Sequence, residues 1–294
     1  MTSANNLHLY ERRDDYIPRV AAVHDLCGYG KCSLGVAIPV LSAAGCDVCP
    51  VPTGLFSSHT AFPGWYMHDT TSIMKDYTDA WKGIGVEIDA VYSGFLGAPE
   101  QVDRIRDLYE TYPNALRVVD PVMGDNGILY SHFDQHFVDE MKGLCKIADV
   151  IVPNLTEACF LTDTKYESVT EKDYPPILSK LKKLCPRPSV TGCDEVRDGS
   201  VRSAVFYTDE KGELKSYATE KIEGAFHGAG DVYASALVGA LARGIDMDKA
   251  VELSAEFTKN SIAQTKKDGT EARYGLNSES QMLAFLENID KAAK

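Results

Sequence analysis

The run Val20-Ala21-Ala22-Val23-His24, followed by Asp25-Leu26-Cys27-Gly28-Tyr29-Gly30-Lys31 and a helix-period segment from Ser33 to Ala44, decides the fold. It reads as an apolar strand, a polar glycine-bearing loop and a helix, which is one βα unit of a parallel sheet. The unit recurs along the chain. Strands are expected at Val20 to His24, Asp47 to Val51, Ala90 to Ser93, Leu116 to Asp120, Val150 to Val152 and Ser189 to Thr191, each followed by glycine, proline or asparagine. Helices are expected at Ser33 to Ala44, interrupted by Pro39, and at Ala98 to Tyr112, Asp134 to Lys146, Leu155 to Leu161 and Tyr174 to Leu184.

After Thr191 the pattern changes. Ser203 to Tyr207 and Leu214 to Thr219 flank the polar turn Asp209-Glu210-Lys211-Gly212, which predicts an antiparallel hairpin on one sheet edge. The segment Val232 to Leu241 is apolar or small on nearly every face and reads as a buried helix, and residues 246–264 form another with Ala250, Leu253 and Phe257 inward. The expected class is therefore α/β, a three-layer α/β/α fold with a mostly parallel central sheet. No Pro, Gly or Ser-rich linker and no repeat divides it, so residues 18–294 form one expected domain after an N-terminal extension, 1–17.

Composition narrows the partners. The 294 residues carry 30 basic and 43 acidic side chains, a formal charge of −13, and no basic cluster that could follow a nucleic-acid backbone. Neither a secretory signal nor an apolar run near the ~20 residues of a membrane span is present, so a cytoplasmic protein free of the membrane is expected. The eight cysteines then read as small buried apolar residues. Cys27-x4-Cys32 with Cys46-x2-Cys49 imitates a four-thiolate zinc pattern, but Cys32 opens a helix while Cys46 and Cys49 flank a strand, which argues against that site.

The chemistry is expected at the carboxyl ends of the strands, where open parallel sheets bind ligands. In His227-Gly228-Ala229-Gly230-Asp231, the glycines let backbone N–H groups converge, and a helix starting at Ala229 or Gly230 adds its positive end. A phosphate suits that cradle, and Asp231 one residue beyond can take a proton from an attacking hydroxyl, as in a kinase. The plainer alternative makes Asp231 a helix cap. The loop after the first strand matches neither the Walker pattern nor G-x-G-x-x-G, since Asp25, Cys32 and Ser33 stand at required positions, and it reads as the wall of a small-molecule pocket.

Thr53-Gly54-Leu55-Phe56-Ser57-Ser58-His59-Thr60 mixes aromatic, hydroxyl and imidazole groups and suits a flat heteroaromatic ring, or is a polar turn with one buried Phe. Asp120 and Glu157 follow the fourth and fifth strands. Mg²⁺ needs only one or two carboxylates plus phosphate oxygens, so both can serve it directly or through water, or Glu157 is simply a first-turn acid.

In this order and spacing the chain resembles the ribokinase-like superfamily, and within it the pyridoxal and pyridoxamine kinases. The resemblance runs from about Val20 to Thr265 and rests on Phe56-Ser57-Ser58-His59-Thr60, Asp120-Pro121-Val122-Met123-Gly124-Asp125, Pro153-Asn154-Leu155-Thr156-Glu157-Ala158 and Gly228-Ala229-Gly230-Asp231. The run Phe56 to Thr60 and Ser93-Gly94-Phe95-Leu96-Gly97 point to the vitamin B6 branch. The resemblance implies a ribokinase-like fold and transfer of the ATP γ-phosphoryl group to the 5′-hydroxymethyl of the B6 ring. It implies Asp231 as base, Gly228, Ala229 and Gly230 as anion hole, and Asp120 and Glu157 at Mg²⁺. It also implies Asn154 and Thr191 at ATP, and Asp25, Phe56, His59, Thr60 and Phe95 at the vitamin. A homodimer and a monovalent cation such as K⁺ are further implied.

Four positions depart from the commoner pattern: Asp25 for serine, Lys31 for histidine or tyrosine, Phe95 for tyrosine and Ala229 for threonine. Ala229 costs little, because the cradle uses backbone N–H groups. A carboxylate at Asp25 favours a protonated ring nitrogen or a cationic amine, so a preference for pyridoxamine is expected. Hydroxymethylpyrimidine kinase is the nearest rival, and a non-catalytic nucleotide or vitamin carrier is the alternative from another class, against which Asp231 speaks.

Overall fold

The computed structural model describes residues 17–293, so most of the expected N-terminal extension lies outside the described residues. The first half runs β1 (Arg19–Cys27), α1 (Leu34–Ala43), β2 (Asp47–Phe56), β3 (Met67–Asp69), α2 (Thr71–Gly83), β4 (Ala90–Ser93), α3 (Pro99–Thr111), β5 (Leu116–Val119), β6 (Gly124–Asp125), β7 (Ile128–Leu129) and α4 (Gln135–Cys145). The second half runs β8 (Val150–Ile151), α5 (Leu155–Leu161), α6 (Tyr174–Leu184), β9 (Arg187–Arg197), β10 (Ser200–Thr208), β11 (Leu214–Glu220), α7 (Ala229–Ala242), α8 (Met247–Lys267) and α9 (Met282–Ala292).

The nine-stranded sheet has the order β11-β10-β9-β8-β5-β4-β1-β2-β3. Pairing is parallel from β2 through β1, β4, β5 and β8 to β9, and antiparallel at both edges, where β9, β10 and β11 form a meander and β3 lies against β2. The strand apolar runs are uninterrupted because both faces are covered. Val20 and Ala22 of β1 enter one core with α1, α7, α8 and α9, and Ala21 and Val23 enter a second core with α3, α4 and α6. Helix α7 lies inside the first core, buried continuously from Val232 to Ala242. The three-layer architecture is the one the alternation implies.

Several elements differ from expectation. Pro39 does not interrupt α1, which runs through it; only the bond to the Gly35 carbonyl is missing, and the packing of Leu34, Val36, Val40 and Leu41 holds the helix together. The strand pairing of β3 and the helices α2 and α9 are additions. In α2 only Met74 is buried, which leaves little helical periodicity to read. The short β6–β7 hairpin turns on Asn126 and Gly127, both at positive φ (51° and 79°), the geometry of a tight type I′ turn.

The topology places the site. Strand β1 pairs with β2 on one side and with β4 on the other, so the chain reverses its winding direction across β1. The crevice beyond the carboxyl end of β1 is the switch point at which such sheets bind ligands.

Candidate active site

Helix α7 begins at Ala229, with Gly228 as its cap at φ 74°. A Cβ on Gly228 would collide with the Lys31 carbonyl oxygen, so this glycine serves both the left-handed turn and a close approach to the loop after β1. Gly230 is different. A Cβ there would meet nothing within 4 Å, so the space above its backbone is open to a ligand. The free N–H groups of the first helical turn face that space with the positive end of the dipole.

Asp231 follows at the floor of the cleft, closely surrounded by protein yet still partly accessible. Burial pushes its carboxyl up to about 7, the backbone N–H of Ser33 pulls it down, and the charge of Asp25 pushes it up again. A carboxylate tuned near neutrality is matched to general-base work. The acidic limb of kcat/KM should therefore fall about tenfold per pH unit below about 7, because the base must be ionised. A profile that stays flat through that pH would place the base elsewhere.

Ser33, which the sequence marks only as a helix start and a departure from the glycine fingerprint, takes part in the site. Its φ of 50° with ψ of −129° is strained for a residue with a Cβ, and it sits between the two acids. Its backbone N–H lowers the pKa of Asp231 and its hydroxyl lowers that of Asp25. Asp25 is buried, and burial raises its pKa against the pull of the Ser33 and Cys27 hydrogen bonds. Beside it lie the aromatic walls: β1 ends against Phe56 in register with Cys27, and the Phe56 and Phe95 rings meet edge to face at 6.0 Å. Phe95 also packs on His132 and Phe133, and its carbonyl accepts from the Thr53 hydroxyl at 2.9 Å.

The opposite wall is acidic. Asp120 directly follows β5, and its carboxyl is raised well above its ordinary value by burial first, then by the charges of Glu157 and Asp231. Glu157 is pushed up to about 8 by burial, against the pull of three backbone N–H groups. Its carboxylate accepts from Asn154 N at 2.8 Å and Met123 N at 3.1 Å, while Asn154 Oδ1 accepts from Glu157 N at 2.9 Å, a reciprocal capping box. Asn154 Nδ2 donates to the Gly124 carbonyl at 2.9 Å. The first-turn role of Glu157 is thus real, and with three of its four lone-pair sites taken it keeps one for a hydrated ion. Two buried carboxylates with only neutral partners are an oxygen donor set that fits Mg²⁺.

Asp25, Phe56, Phe95, Asp120, Glu157 and Asp231 converge through these contacts. Asn154 and Thr191 are brought side by side by a bridge between β9 and the start of α5, with Thr191 N donating to the Pro153 carbonyl at 3.0 Å. His59 is held by the main chain: its Nε2 bonds the Arg273 carbonyl at 2.7 Å, and its Nδ1 accepts from Ala61 N at 3.2 Å. That assigns the neutral Nε2–H tautomer, in agreement with a pKa lowered by burial. The imidazole of His227 stacks on it at 5.3 Å, which accounts for the histidine before the anion hole. Thr60 is exposed and makes no hydrogen bond through its side chain among the described residues.

Among the described residues no helix is long and apolar enough to cross a membrane. The model of the phosphomethylpyrimidine kinase family matches residues 40–275. A pyridoxal kinase of Burkholderia orbicola is 32% identical over 152 residues, 49% of this chain and 52% of its own length, so the chain spans about half the length of such curated relatives. A Bacteroides thetaiotaomicron structure described under phosphomethylpyrimidine kinase aligns with TM-score 0.86 and 33% identity, covering 95% of this chain and 96% of the other. A second crystal form of it, with pyridoxal, aligns at TM-score 0.84 and 34% identity over 92% and 96%. Pyridoxal kinase from Lactobacillus plantarum aligns at TM-score 0.84 and 29% identity over 92% of this chain and 98% of its own.

Proposed function

The chain belongs to the phosphomethylpyrimidine kinase family, and from that premise we propose that it transfers the γ-phosphoryl group of ATP to the 5′-hydroxymethyl group of vitamin B6 vitamers. The observation that carries this reading is the meeting of Asp231, at a helix start with open space over Gly230, with Asp25 and the Phe56–Phe95 pair. The crystal form of the Bacteroides relative with pyridoxal supports it.

In this mechanism the ring lies against the Phe56–Phe95 pair with its hydroxymethyl toward Asp231. Asp231 accepts the hydroxyl proton as the oxygen bonds to the γ-phosphorus, and the bond to the β-phosphate oxygen breaks to release ADP. Backbone N–H groups of Gly228, Ala229 and Gly230 receive the charge on the transferred group. Asp120 directly, and Glu157 through water, would hold Mg²⁺, which neutralises phosphate charge when bound. Asn154 and Thr191 shape the ATP side; with both polar atoms of Asn154 engaged, it acts by fixing Gly124 and Glu157 in place. His59, with Thr60 next to it, bounds the acceptor loop. A single domain over 18–294, a cytoplasmic location, a homodimer and a monovalent cation complete the reading.

Turnover of pyridoxal, pyridoxine, pyridoxamine and hydroxymethylpyrimidine with ATP and Mg²⁺ in parallel tests it. Hydroxymethylpyrimidine, which the family description favours as a second reading, should be the poorer acceptor; a higher kcat/KM for it would replace the first reading with the second. Burial of Asp25 leaves its negative charge in need of a cation, which pyridoxamine supplies. Pyridoxamine should exceed pyridoxal by roughly tenfold in kcat/KM, the equivalent of about 1.4 kcal/mol, and Asp25→Ser should abolish the difference. Equal values in both proteins would remove Asp25 from vitamer selection.

A further inference from the structure

The loop Cys27-Gly28-Tyr29-Gly30-Lys31-Cys32 folds back so that its two end thiols meet the carboxylate of Asp25. One ligand atom from each of the three residues lies within 4.8 Å of the other two. Cys27 Sγ donates to Asp25 Oδ2 at 3.2 Å, and the Cys32 sulfur lies within 4.8 Å of both residues' ligand atoms. Asp25 and Cys27 are 5% and 8% exposed, whereas Cys32 is only half-buried, so the cluster is walled in on two sides and open on the third.

We propose that Asp25, Cys27 and Cys32 form a binding site for a thiophilic divalent cation, Zn²⁺ or Cd²⁺, separate from the Mg²⁺ carboxylates. The donor set is the first reason. Two sulfurs and one oxygen select a borderline or soft ion, whereas Mg²⁺ takes oxygen alone. Geometry is the second. Zinc bonds of about 2.3 Å to sulfur and about 2.0–2.2 Å to oxygen place tetrahedral ligands roughly 3.5–3.8 Å apart, so a spacing within 4.8 Å closes by side-chain adjustments of up to about 1.3 Å.

Charge is the third reason, since the carboxylates of Asp25 and Asp231 both bear on Cys32 and would attract a cation placed beside it. Binding forms two metal–sulfur bonds and releases the two thiol protons to solvent, while water takes the fourth position through the open side. The other half of the four-thiolate pattern does not take part. Cys46 Sγ lies 3.9 Å from the Gly239 carbonyl oxygen, and Cys49 is placed beside Asp47 and Arg19. A cation held by Asp25 withdraws that carboxylate from the acceptor ring, a consequence that rests on the proposed function, although the site itself does not.

Cd²⁺ titration of the reduced full chain, followed by thiolate-to-cadmium charge-transfer absorption, tests the site. Wild type should saturate at about one ion per chain, Cys27→Ser and Cys32→Ser should each weaken binding by on the order of 100-fold, and Cys49→Ser should not change it. Cys32→Ala, at the half-buried thiol, serves if Cys27→Ser fails to fold. Absence of the saturating band in wild type, or its persistence in the Cys32 variants, overturns the proposal. The absorption needs neither substrate nor turnover, so its failure is distinct from a failure of the kinase reading.

Discussion

Asp231→Asn is expected to lower kcat by about 10²- to 10⁴-fold, the usual worth of a positioned general base, while the protein melts no lower than wild type above pH 7. The second half follows from the direction of the pKa shift. The carboxyl rises from 3.8 unfolded to about 7 folded, so the folded state holds this proton more tightly. Stability is lost as pH climbs between those two values, and the deficit is complete above the higher one. Asparagine keeps the shape and still accepts from the Ser33 N–H, but carries no charge to desolvate. Activity and stability should thus move in opposite directions, which a residue conserving only helix geometry would not do. A loss under tenfold, or a large drop in Tm with the activity loss, would reduce Asp231 to a first-turn acid that serves only the helix.

The legible parts of the molecule were those where packing writes a period into the sequence. Strands β1, β4, β5 and β8 are apolar on both faces because helices cover both, and α7 is apolar all round because it lies inside one core. Helix α2 was not legible, since it buries little beyond Met74. The β6–β7 hairpin was announced by Asn126-Gly127, a strong turn signal that lay inside a motif read only for its acids. The same holds for the site. Asp120, Glu157 and Asp231 stand at strand ends and a helix start, and could be placed by topology alone. Ser33 could not, because its strained conformation and the N–H that acts on Asp231 belong to the main chain, and its hydroxyl gave no sign of acting on Asp25. The partner of His59, the Arg273 carbonyl, was not legible either, because a main-chain oxygen leaves no trace in side-chain chemistry.

The two glycines of the anion hole separate folding from function, and their alanine variants should fail in different ways. Gly228→Ala places a Cβ in the left-handed region and against the Lys31 carbonyl oxygen, so it should destabilise the fold by about 1–2 kcal/mol or more, read as a lower Tm. Gly230→Ala has ordinary helical backbone and nothing within 4 Å of its new methyl, so its Tm should be unchanged or higher by the helix propensity of alanine, up to about 1 kcal/mol. Its activity should nevertheless fall by about 10²-fold or more, because the methyl occupies the space from which a phosphate reaches the backbone N–H groups, the cost of losing one oxyanion donor. Stable Gly230→Ala protein with full turnover would show that the transferred phosphate does not rest over α7. That result would leave Asp231 without its phosphate, whereas a stable but inactive variant ties the open space over Gly230 to the reaction.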